Sequence, residues 1–135
     1  MQVNDNPQDR KLTLESNVRR VLENHDYDVR NMFGGKTFML SGNMLCCVSS
    51  KGLMVRIDPK TEQAALARDH AEPCLGAGRR MAGFIMVDHS GLTKLSAVKS
   101  WVELALRYVE PMPPKEKKSK LKLGGKNNAR IFSPN

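Results

Sequence analysis

The most constraining feature of this chain is a run of short apolar segments cut apart by glycine-containing breaks. Val29–Phe33, Thr37–Leu40, Met44–Ser49 and Leu53–Ile57 are separated by Gly34-Gly35, Ser41-Gly42-Asn43 and Ser50-Lys51-Gly52. Breaks of this length are too short for a crossover helix, so consecutive segments must fold back on one another as antiparallel strands. In Met44-Leu45-Cys46-Cys47-Val48 both alternating sets of side chains are apolar. Both faces of the sheet are therefore expected to be covered, by helices on one side and by a partner subunit on the other.

Helical periodicity flanks this meander. From about Asp9 to Asn24, the apolar residues Leu14, Val18, Val21 and Leu22 fall on one stripe, with Asp9 or Thr13 available as a cap. Asp58-Pro59 reads as a second helix start, with Asp58 at the N-cap and Pro59 at the first helical position, running to about Arg68. Residues Asp69–Met81, which contain Pro73, Gly76 and Gly78, read as a loop. Gly83–Val87 supplies a fifth strand. A last helix lies within Leu92–Glu110, with Leu95, Val98, Trp101 or Val102, Ala105 and Val109 on its buried stripe and Pro111 ending it. The predicted fold is α+β and two-layered. An antiparallel sheet of about five strands carries packed helices, in the order α-β-β-β-β-α-β-α.

A chain of 135 residues with 40% hydrophobic content supports one domain. No apolar run approaches the roughly 20 residues of a membrane helix, and Met1–Lys11 lacks a signal-peptide core, so no membrane association and a cytoplasmic location are expected. Three cysteines make no disulfide framework. The net charge of +8 is unevenly placed. Lys115, Lys117, Lys118, Lys120, Lys122, Lys126 and Arg130 face only Glu116, a net of +6 for residues 115–135, which leaves +2 for the rest. The predicted organisation is a disordered N-terminus over 1–8, a domain over 9–113 and a flexible basic tail over 114–135.

Few residues point to chemistry. Gly34-Gly35-Lys36-Thr37 resembles the end of a phosphate-binding loop, but the position that needs the first glycine is Arg30 and a strand follows where a helix is required. It reads as a turn. Cys46, Cys47, Cys74, His25, His70 and His89 form no metal-ligand spacing, and Cys46 and Cys47 in one strand point to opposite faces. Cys74 with His70 or His89 lacks a nucleophile signature. Asp88-His89 reads as a strand-to-helix turn in which Asp88 or Ser90 bonds local backbone. Gly76-Ala77-Gly78-Arg79-Arg80 offers backbone amides and two guanidinium groups to an anion. Arg79 and Arg80, with Lys115, Lys117, Lys118, Lys120, Lys122 and Lys126, are thus the candidate contacts to nucleic acid or another anion. The tail's one aromatic residue, Phe132, provides little for base stacking. No catalytic, cofactor-binding or metal-ligating set is assigned.

Five motifs together carry a family resemblance: Met32-Phe33-Gly34-Gly35, Leu40-Ser41-Gly42-Asn43-Met44-Leu45, Leu53-Met54-Val55-Arg56, Arg80-Met81-Ala82-Gly83-Phe84 and Trp101-Val102-Glu103-Leu104-Ala105. In order and spacing, from about Val21 to Pro113, they resemble the TfoX N-terminal domain. The resemblance implies a two-layer α+β domain with no established enzyme activity or cofactor. It also implies a link to regulators of natural competence, of which this chain resembles a single-domain form without their helical C-terminal domain. The expected function is a non-enzymatic regulatory or protein-interaction module that binds another protein or a second copy of itself. The alternative is a nucleic-acid-binding accessory protein acting through the basic tail.

Overall fold

A computed structural model describes residues 7–32, 34–76 and 78–115. Helix α1 (Pro7–Val21) precedes strands β1 (Tyr27–Met32), β2 (Gly35–Leu40), β3 (Asn43–Ser49) and β4 (Gly52–Arg56). A short 3-10 turn, Pro59–Thr61, leads into α2 (Glu62–Leu66). Strands β5 (Ala71–Gly76) and β6 (Arg79–Asp88) follow, then a 3-10 turn at His89–Gly91 and helix α3 (Leu95–Val109). The strands form one antiparallel sheet in the order β1-β2-β3-β4-β6-β5. The α+β, two-layer expectation holds, with six strands in place of five.

The extra strand comes from the segment read as a loop. Pro73 lacks an N–H, and Gly76 and Gly78 resemble loop punctuation, but β5 is an edge strand, where proline is tolerated. Strand β6 starts at Arg79, four residues earlier than Gly83, so that Gly76 pairs with Arg79 across a tight turn and Ala71 pairs with Val87. Helix α1 likewise starts at Pro7, two residues before the expected domain boundary, whereas residues 1–6 lie outside the described residues.

Local chemistry sets the turns. Ser41 (φ 50°) and Gly42 (φ 83°) both take positive φ in the two-residue β2–β3 connection, the twist that suits an antiparallel hairpin. Asp58 caps the second helical segment as expected, its carboxylate accepting the Lys60 N–H at 3.0 Å, but the first turn is 3-10 and α2 is short. Asp88 caps the turn before α3, accepting the Ser90 N–H at 2.9 Å.

The main core lies between the sheet and the helices. Leu14, Val18 and Leu22 from the α1 side meet Val98, Trp101, Val102, Ala105 and Val109 of α3 over Phe38, Val48, Leu53, Val55, Ile85 and Val87. Leu95, expected on the buried stripe, is exposed at the start of α3. A bulge between Phe38 and Met39 shifts the β2–β3 register, so Leu45 and Cys46 both join the helix-side core while Met44 and Cys47 belong to the other face.

Candidate interaction surfaces

The second face of the sheet carries its own apolar cluster. Met39, Met44, Cys47, Met54 and Cys74 are buried there, with Met81, Phe84 and Met86 partly buried against them. The core residues of all three helices belong to the opposite side, so among the described residues no helix packs on this face. Cross-strand pairing lays it out in rows. The central row reads Arg30, Thr37, Cys47, Met54, Met86, Glu72, each Cα directly opposite the next. Apolar sulfur-bearing side chains fill its middle, while exposed Arg30 on β1 and Glu72 on β5 mark its two edges. The Met32 carbonyl accepts hydrogen bonds from Thr37 Oγ1 at 3.1 Å and Cys47 Sγ at 3.7 Å, anchoring the short residues of the row. Unbranched methionines adapt to partners of different shape, a property common on protein-binding surfaces.

One end of the sheet gathers the basic candidates. The β2–β3 turn, the C-terminal end of β4 and the β5–β6 hairpin all lie there, because Leu40 pairs with Asn43, Arg56 with Phe84, and Gly76 with Arg79. The chain after α3 returns to this end. Asn43 Nδ2 donates to the Pro113 carbonyl at 3.0 Å, and the Lys115 N–H donates to the Ser41 carbonyl at 2.7 Å. Lys115 is therefore pinned by its backbone at this end of the sheet. Arg79 is exposed at the hairpin. Arg80 is engaged: its Nη2 donates to Glu62 Oε2 at 3.0 Å, and Glu62 is itself buried. The motif expected as a loop is a β-hairpin, with Gly78 (φ 78°) at its turn. Lys117, Lys118, Lys120, Lys122 and Lys126 lie outside the described residues.

Arg56 closes the edge between this end and the helices. Its guanidinium sits 5.9 Å from the ring centroids of both Phe84 and Tyr108, and its Nη1 donates to the Met44 carbonyl at 3.5 Å. Beside Tyr108 lies a cleft of about 470 Å³ lined by Asp58, Thr61, Leu104, Arg107, Tyr108, Pro111 and Met112. Two of its polar groups already serve the backbone turn, since Asp58 caps Lys60 and Thr61 Oγ1 donates to the Asp58 carbonyl at 2.8 Å.

The thiols and imidazoles are dispersed. All three cysteines are free and buried, and burial raises each thiol pKa, that of Cys74 to about 11. His89 Nε2 donates to the Ser49 carbonyl at 3.1 Å. Ser90 Oγ donates to Asp88 Oδ2, so His70 Nδ1, 3.1 Å from the same hydroxyl, is its donor. These bonds hold Asp88 below the usual carboxylate range, the Ser90 hydroxyl first and its backbone N–H second. With the serine proton directed to the Asp88 carboxylate, His70 Nδ1 donating to the hydroxyl and His89 Nε2 donating to the Ser49 carbonyl, neither of these ring nitrogens accepts the Ser90 proton in this arrangement. Among the described residues no group of three or more His, Cys, Asp or Glu is placed to hold a metal ion, and no helix is long and apolar enough to cross a membrane. Glu62 was not visible as an anchor from sequence. Its one signal is a carboxylate on the inner side of an otherwise alanine-rich helix.

Comparison with known proteins adds one finding. No curated protein and no solved structure matches the chain. The family model described as the TfoX N-terminal domain matches residues 22–109. The match takes in all six strands, α2 and α3, and leaves outside it only α1 among the regular elements, although Leu14 and Val18 of α1 complete the helix-side core. With well over half its length matched, including every strand of the sheet, the chain belongs to the TfoX N-terminal domain family.

Proposed function

We propose that this chain is a non-enzymatic regulatory module of its family, linked to transcription and competence control, which acts by binding another protein through the helix-free face of its sheet. The observation that carries the reading is the second apolar cluster on that face, rich in methionine and rimmed by charge. Its partly exposed members, Met81, Phe84 and Met86, supply the apolar surface that a protein partner would bury. The test is affinity capture from native lysate with the full chain. Met86→Lys, on the face, is expected to lose the proteins that the unaltered chain retains, whereas Leu12→Lys, on the exposed side of α1, keeps them. Equal retention by both variants contradicts the reading.

A second reading, contact with nucleic acid through the basic tail, is favoured by one relationship. Arg79 and Lys115 lie at the same end of the sheet, so hairpin and tail can follow one phosphate backbone. If about six phosphates are neutralised, the slope of log K against log salt on duplex DNA is expected to be near −5. Loss of that slope in a chain ending at residue 114 supports this reading, and unchanged binding removes it.

A further inference from the structure

We infer that the outer edge of β1 pairs with the same edge of a second copy of this chain, antiparallel and centred on Val29, so that two sheets join into one. The surface is the rim of the sheet and not its helix-free face, so the inference goes beyond the reading above and is tested apart from it.

Strand β1 ends the sheet and pairs on one side only, with β2, in an unbroken register from Tyr27↔Leu40 to Met32↔Gly35. Met32 and Gly35 flank a two-residue turn and therefore exchange the bonds that close it. Alternation then directs the backbone groups of Arg30 and Asp28 to β2, and those of Tyr27, Val29 and Asn31 away from the sheet. The next turn gives the same parity. Leu40 and Asn43 flank Ser41-Gly42, which commits Leu40 to β3 and leaves Met39, Thr37 and Gly35 to face β1. Among the described residues no backbone hydrogen bond engages the outward groups of Tyr27, Val29 or Asn31. Helix α1 lies against α3, β3 and β4, inward of this rim. The opposite rim is blunted, because in β5 Pro73 has no N–H, the Ala71 N–H donates to the Arg68 carbonyl at 3.4 Å, and the register shifts between Pro73 and Leu75. Strand β1 has neither a proline nor a bulge.

An open row of donors and acceptors takes another strand, and the spacing of this row matches itself. A closed pair of copies needs a two-fold axis. With the axis normal to the sheet, the two β1 strands run antiparallel, as every neighbouring pair in this sheet does, and both helical layers stay on one side. Centring on Val29 sets Val29 opposite the partner's Val29 and Tyr27 opposite the partner's Asn31. Every outward residue then exchanges both of its bonds with another outward residue. Centring on Asp28 instead leaves Asn31 unmatched and sets Asp28 against the partner's Asp28, and centring on residue 30 leaves Tyr27 unmatched. Backbone groups make the contact, so no side chain has to leave a partner that it holds in its own chain. Tyr27 and Val29 are partly buried at the border of the helix-side core, which the partner's Val29 extends across the axis. The contact is one strand long, about 20 Å, and falls below the roughly 1,000 Å² of a stable interface. A dissociation constant of about 0.1 mM is therefore expected.

The test is amide hydrogen exchange of the full chain by NMR at about 0.05 mM and about 1 mM, with sedimentation equilibrium to count the copies. A dimer is expected, and exchange at Tyr27, Val29 and Asn31 should slow about threefold at the higher concentration as the monomer fraction falls. The amides of Asp28, Arg30 and Met32, already bonded to β2, should not change. Val29→Pro removes the central outward donor from both copies and should weaken the dimer by about tenfold or more. A proline is tolerated on an edge strand where the N–H faces outward, a thermal melt confirms the fold, and Asn31→Pro repeats the test at the strand's exposed end. Leu75→Ser on the opposite rim should leave the dimer unchanged. A chain that is monomeric at about 1 mM, a dimer without the alternating protection, or a folded Val29→Pro chain that dimerises as before overturns the inference. None of these results bears on the helix-free face, whose capture test with Met86→Lys stands by itself.

Discussion

The carboxylate of Glu62 at the start of α2 holds two points of β6, Arg80 and Gly83. Oε2 accepts from the Arg80 guanidinium at 3.0 Å, and Oε1 accepts from the Gly83 N–H at 3.3 Å, tying α2 to β6. Glu62 is buried while Arg80 is half exposed. Removing the acid therefore strands a backbone donor, and removing the arginine strands a buried charge. Glu62→Ala is expected to cost about 2–3 kcal/mol in a denaturant melt. Arg80→Ala should also destabilise, and Glu62→Gln, which keeps an acceptor for Gly83, should fall between wild type and Glu62→Ala.

Gly83 sits at φ 82°, and a Cβ there would approach the Ile57 carbonyl to 2.9 Å. Its own carbonyl accepts the Ile57 N–H at 2.7 Å, so the conformation cannot relax without loss of that bond. Gly83→Ala is expected to lose at least about 1–2 kcal/mol, seen as a lower denaturant midpoint with an unchanged slope. Gly78→Ala at the hairpin has open space around it and should lose only the positive-φ cost.

Leu53 is fully buried against the helix layer, whereas Leu75 on the edge strand is 71% exposed. Leu53→Ala should cost about 2–5 kcal/mol through lost transfer energy and a residual cavity. Leu75→Ser should stay within about 0.5 kcal/mol of the unaltered chain. Comparable losses in thermal melts of the two variants would contradict the placement of the core.

The thiols predict a pH profile. Burial raises Cys74 to about 11, with Glu72 and Glu62 adding to the effect. Its thiolate fraction at pH 7 is therefore on the order of a hundredfold below that of a free cysteine, and alkylation of the folded chain should rise about tenfold per pH unit up to pH 10. Linkage has a definite sign. The unfolded thiol ionises near pH 8.5 and the folded one above it, so stability is intact below about pH 8.5 and declines as pH rises beyond it. Rapid labelling of one cysteine at pH 7 would contradict this environment.

Much of the fold was legible because its punctuation is local. Gly34, Ser41-Gly42 and Ser50-Lys51 mark turns whichever way the chain packs, and Val98, Val102, Ala105 and Val109 state their helix by spacing alone. Strand β5 was hidden because Pro73 and two glycines carry loop chemistry, and only pairing with β6 and an outer position make them acceptable in a sheet. The apolar character of both sheet faces was visible in Met44–Val48. The row from Arg30 to Glu72 was not, since it joins residues from six strands whose register is set by hairpins and a bulge. Arg80 read as a free anion contact because its partner is 18 residues away, on a helix whose burial depends on the finished sheet.

The most direct test of the helix-free face as the interaction surface is hydroxyl-radical footprinting read by mass spectrometry, comparing free and assembled protein. Protection is expected at Met81, Phe84 and Met86, with Leu12 and Leu95 on the helical layer unchanged. Protection at Leu12 or Leu95, with the sheet-face residues still reactive, would place the partner on the helices and contradict the account.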